Sequence, residues 1–121
     1  MAKDAPRQKS KARYLYSPDE LQRVQDYEDK TNEAVMILEA NANILTSLRE
    51  YYERLVSNKD FTVGGTSSED VVDFAIQLKD MVYDLNMQIA RGKLLAKITA
   101  DRKTLVSLFY CSTHPHLVAL L

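Results

Sequence analysis

Cys111, His114 and His116 are the side chains closest to one another in the sequence that could do soft-ligand or nucleophilic chemistry. A thiolate with two imidazoles is zinc-ligand material, and a thiol beside an imidazole is a nucleophile beside its base. The chain holds one Cys and two His in all, so these types alone cannot complete a four-ligand site. His116 also follows Pro115, and the stretch reads as an irregular tail. A second group is acidic. Glu69, Asp73, Asp80 and Asp84 fall on one side of a helix, and Asp80 and Asp84, four residues apart, are the weak candidates for a divalent cation or an acid–base pair. A solvated helix face needs the same pattern. Three glycines leave no phosphate loop or dinucleotide fingerprint, and Gly64-Gly65 reads as a turn. The expectation is no catalytic residue, no metal site and no cofactor: not an enzyme.

Charge narrows the partners. The 121 residues carry 16 basic and 17 acidic groups, with a net charge of -1. Residues 1–16 hold five basic groups against one acid, and residues from Arg91 onward again hold five against one. The middle is acidic. A nucleic-acid binder needs its cations along one continuous face, so none is expected here. Contact of the basic arm with an anionic membrane surface stays open, without an integral span, because no run of about 20 apolar residues occurs. The lone Cys111 and the lack of an apolar leader fit a reducing, cytoplasmic setting.

These side chains would be positioned by helices. Residues 1–16 read as a disordered basic arm. Ser17 is a cap, Pro18 suits the first helical position and Glu20 completes a capping box, with Tyr16 placed to staple onto Leu21. Helix 17–57 follows, then a loop over 58–67, a helix over 68–110 capped by Thr66 or Ser67, and the tail 111–121. Spacings of three and four run through Val24, Tyr27, Thr31, Ala34, Leu38, Asn41, Leu45, Leu48, Tyr52 and Leu55. That is the seam of a helix shared with another, with Asn41 as a polar position that sets register. The second face runs Val71, Phe74, Ala75, Leu78, Met81, Val82, Leu85 and Ile89, then Leu94, Leu95, Ile98, Leu105, Leu108 and Phe109. Gly92 lies inside it and permits close approach.

The fold class expected is all-α: a long antiparallel helical hairpin, coiled-coil-like and completed by oligomerisation. In that hairpin the basic run Arg91–Lys103 lies beside the acidic start of the first helix (Asp19, Glu20, Asp26, Glu28, Asp29). The expected interface residues are Val24, Leu38, Asn41, Leu45, Leu48, Tyr52, Leu55, Leu78, Leu85 and Ile89.

Two stretches, YEDKTNEAVMILEANANILTSLREYYERLVSNK from Tyr27 and DFAIQLKDMVYDLNMQIARGKLLAKITADRKTLV from Asp73, resemble the cytosolic helical region of fungal CorA-like magnesium transporter domain proteins. The resemblance spans roughly residues 20–106. It implies long helices packed side by side ahead of a stalk and membrane helices. The family's Gly-Met-Asn selectivity tripeptide has no counterpart, since Asn86-Met87 is a different order, and neither do its membrane helices or its α/β portion. No pore residue carries over. The residues together lead to a non-enzymatic structural or protein-interaction module that associates with itself or another helical protein. The alternative is a truncated or regulatory fragment of a magnesium-transport protein with weak divalent-cation binding on acidic helix faces.

Overall fold

A computed structural model of the chain describes residues 17–58 and 68–118. The expected basic arm, the Tyr16 staple, the cap at Thr66 or Ser67 and most of the loop lie outside the described residues. Everything described is helical apart from single residues at helix ends: α1 spans Pro18–Ser57, α2 spans Ser68–Thr113 and α3 spans Pro115–Val118. No strand occurs among the described residues.

Local chemistry accounts for the boundaries. The Glu20 amide donates to the Ser17 hydroxyl at 3.3 Å and to the Ser17 carbonyl at 3.0 Å, so Ser17 caps α1 as its sequence position implies. Asp19 and Glu20 place negative charge in the first turn, where the helix dipole favours it. No Gly or Pro interrupts the rest of α1. Pro115 stops α2, but later than expected. Cys111–Thr113 belong to α2 and Pro115–Val118 form a helical turn, so the tail is not irregular over those residues. The Thr113 hydroxyl donates to the Phe109 carbonyl at 3.0 Å, the His114 amide donates to the Tyr110 carbonyl at 3.0 Å, and the His114 ring stacks on Tyr110 at 4.6 Å. These local bonds hold the last turn, in which Cys111, Ser112 and Thr113 stay exposed.

The chain divides into two compact units. One, Glu33–Lys93, contains a helical hairpin. Its antiparallel sense follows from three contacts: Val35 beside Gly92, Glu39 paired with Lys93 at 2.6 Å, and Tyr52 edge-on to Phe74 at 5.0 Å. Val35, Ala42 and Ile89 form its buried cluster, with Leu38 and Leu85 packed against it. Val71, Ala75, Leu78 and Val82 are buried too. Val and Ala make up most of the fully buried set, and Val35 sits against Gly92, where the missing side chain leaves room for it.

The other unit contains the described residues up to Asn32 and those from Leu94. Val24 and Val106 are its buried apolar residues, and Val106, 1% exposed, is the most enclosed side chain described. Glu28 and Lys103 form a half-buried ion pair, and Glu20 lies 3.8 Å from Arg102. Acidic residues of early α1 thus meet the basic run of α2, as the charge pattern anticipates. Solvent-exposed ion pairs contribute only about 0–1 kcal/mol each, so the Glu20–Arg102 pair selects orientation more than it stabilises.

Candidate interaction surface

The inward-facing residues follow a strict alternation of three and four. In α1 one row is Val24, Thr31, Leu38, Leu45 and Tyr52, and the other is Leu21, Glu28, Val35, Ala42 and Arg49. In α2 the rows are Val71, Leu78, Leu85, Gly92, Thr99 and Val106, and Ala75, Val82, Ile89, Ala96, Lys103 and Tyr110. All are buried or half-buried. Thr31 and Thr99 sit in these rows because their hydroxyls donate to the carbonyls of Tyr27 and Leu95, at 2.7 and 2.9 Å, and so need no partner across the seam.

The structure places the expected interface residues in two groups. Val24, Leu78 and Ile89 are buried, and Leu38, Leu45, Tyr52, Leu55 and Leu85 are half-buried. Asn41 is exposed and Leu48 is 37% exposed, so neither faces inward between α1 and α2. The second row expected on α1 (Tyr27, Ala34, Asn41, Leu48) is displaced by one residue to Glu28, Val35, Ala42 and Arg49. Both rows border the first one at helical spacing. Hydropathy favours the former, since Tyr and Leu outrank Glu and Arg. The geometry of the pair selects the latter, with Glu28 neutralised by Lys103 and Val35 seated against Gly92.

A similar displacement occurs on α2. Beyond Ile89 the inward rows continue through Gly92, Ala96, Thr99, Lys103, Val106 and Tyr110, while the expected Leu94, Leu95, Ile98, Leu105 and Leu108 are each more than half exposed. In the Leu94-containing unit the small and polar residues thus lie inward and the large apolar ones face out. Glu28 and Lys103 are the inward residues that hydropathy misses, whereas Gly92 is where the sequence places a close approach. The acid-against-base pattern contains the signal for Glu28 and Lys103.

The displaced residues border a groove in the Leu94-containing unit. It has a volume of about 460 Å³ and is walled by Tyr27 and Val24 on α1 and by Leu95 and Ile98 on α2, with Arg23 and Arg102 at its edge. In the other unit, Tyr51, Tyr52 and Phe74 form a chain of edge-on rings, 5.5 and 5.0 Å between centroids.

Chemistry-bearing residues do not converge. Asp80 and Asp84 are exposed on α2, and Cys111, His114 and His116 are exposed near its end. No group of three or more His, Cys, Asp or Glu that could hold a metal ion occurs among the described residues. Nor, among them, is any helix long and apolar enough to cross a membrane. No family model, curated protein or solved structure matches the chain, and so none links it to the CorA-like proteins.

Proposed function

We propose that the chain is a non-enzymatic helical interaction module whose physiological state is an assembly, with itself or with another helical protein. The observation that carries this reading is the outward row of Leu94, Leu95, Ile98, Leu105 and Leu108, each at least 53% exposed. Single exposed apolar residues are ordinary, but a recurring row of them along one helix is the usual mark of an interface. Ile37, Ile44 and Tyr51 on α1, all more than half exposed, add to it. The alternation of three and four in the inward rows supports coiled-coil packing, a geometry to which further helices are readily added.

Light scattering coupled to size separation tests this reading, run over a range of concentrations with and without Mg²⁺. The expected result is a helical oligomer whose mass rises with concentration and is indifferent to Mg²⁺. A monomer at every concentration that also captures no helical partner would overturn it. The alternative, a magnesium-transport fragment, requires a Mg²⁺-dependent melting shift that Asp80→Asn with Asp84→Asn abolishes.

A further inference from the structure

We propose that α1 pairs with α1 of a second copy of this chain, in antiparallel sense, through the outward row Ala34, Ile37, Asn41, Ile44, Leu48 and Tyr51. This deepens the reading above and rests on it.

The unit Glu33–Lys93 has two unlike edges. At one, Glu39 pairs with Lys93, and Glu53 lines a hollow with Val72 and Lys79, so that edge carries charge of both signs. At the other, Tyr52 meets Phe74, and the outward row borders it on α1. That row repeats the alternation of three and four found in the inward rows, and it holds no charged residue. Ile37, Ile44 and Tyr51 are 55%, 65% and 52% exposed, with Ala34 and Asn41 exposed among them. On the α2 side of this edge stand Phe74, Met81 and Gln88, and beyond them Gln77, Asp84 and Arg91, one acid and one base. Lys30, the next position before Ala34, belongs to the other unit and marks the end of the apolar stretch. A second seam on one helix calls for a second helix against it, and a single Asn in such a seam fixes register and partner number.

The row is its own complement when reversed. Laid antiparallel on a second copy, Ala34, its smallest side chain, falls opposite Tyr51, its largest. Ile37 falls opposite Leu48, and Asn41 opposite Ile44. The two Asn41 carboxamides then sit in adjacent layers on either side of the two-fold axis, and each has both a donor and an acceptor for the other. On its solvent side the row is flanked by Glu33, Ala40, Ser47 and Arg54. An acid and a base thus stand about 30 Å apart along the helix, at 1.5 Å per residue, with two small neutral residues between them. Reversal brings Glu33 of each copy to Arg54 of the other. A parallel pair would instead set Ala34 on Ala34 and Tyr51 on Tyr51, and would leave both charges unpartnered. Size, amide and charge therefore select one occupant, the same helix in the opposite sense. Apolar burial supplies most of the affinity, and the rim charges set the orientation. The contact is isologous, so it closes at two copies.

Sedimentation and cystine cross-linking of the full chain are the test. Ile44→Glu sets two like charges beside the two-fold axis and is expected to weaken association at least about tenfold, with helix content checked by circular dichroism. For orientation, Cys111→Ser first removes the exposed native thiol. In that background Ala34→Cys and Tyr51→Cys are expected to cross-link to each other when mixed under oxidising conditions. Neither is expected to cross-link with itself, because like positions stand about 25 Å apart along the pair, far beyond the reach of a disulfide. Association that Ile44→Glu leaves at parental strength would overturn this face while leaving assembly through the Leu94 row standing. Cross-linking of either variant with itself, or none in the mixture, would overturn the antiparallel register. A parent that stays monomeric yet captures another helical protein would overturn the inference and leave the broader reading in place.

Discussion

Gly92 shows how one side chain decides the spacing of a helix pair. A Cβ built there would sit 2.7 Å from the Val35 Cγ2, closer than real contacts allow, and Val35 is buried and stiff about χ1. Gly92→Ala gains about 1 kcal/mol of helix propensity but overpacks the seam, which typically costs about 1–3 kcal/mol. The expected outcome is a lower melting temperature, restored or exceeded when Val35→Ala is added; calorimetry of the two single variants and the double checks it. Arg49 is the opposite case. It occupies an inward row with its side chain 24% exposed, 3.5 Å from Glu53, and its Nε is buried without a hydrogen-bond partner. A poorly satisfied ion in a seam is readily replaced by an apolar side chain of similar length. Arg49→Met should therefore raise stability, by about 1 kcal/mol in denaturant titration; a loss of that size would mean the guanidinium is satisfied by its surroundings.

At the scale of elements, the start of α1 rests on the Ser17 cap. Ser17 accepts from the Glu20 amide, and removing a cap of this type costs about 0.5–2 kcal/mol. Ser17→Ala should lower stability by that amount and speed hydrogen exchange at the Glu20 and Leu21 amides, with little change in exchange at Val35 or Ala42. Uniform acceleration along α1 would show that the cap acts only through global stability. The Glu20–Arg102 and Glu28–Lys103 pairs in the one unit, and Glu39–Lys93 in the other, work differently. They oppose acid on α1 to base on α2, and misaligned registers forfeit that opposition. Their contribution is to orientation, consistent with seams whose buried residues are mostly Val and Ala.

For the molecule as a whole, many large apolar side chains are left outside. Small inward residues such as Ala42, Ala75, Gly92 and Ala96 allow close approach but remove little apolar surface from water. The larger Leu94, Ile98, Leu105 and Leu108 stay in solvent. An assembly that covers them binds the folded state and stabilises it by mass action. On the proposed self-association the melting midpoint should rise with protein concentration, and differential scanning calorimetry over a hundredfold dilution series checks this. A midpoint independent of concentration would separate stability from assembly altogether.

Helix type, the Ser17 start and the acid-against-base orientation were all legible in the residues, because each rests on backbone propensity, capping or net charge, which act within a few positions. So was one inward row of α1, Val24 through Tyr52, since a seven-residue repeat of that quality has no rival on its helix. What only the tertiary structure decided is which adjoining row turns inward. Tyr27, Ala34, Asn41 and Leu48 compete with Glu28, Val35, Ala42 and Arg49, and hydropathy prefers the first set. The outcome depends on pairings across the two helices, Val35 with Gly92 and Glu28 with Lys103. Partners so distant along the chain act through space, and no local window of sequence contains them.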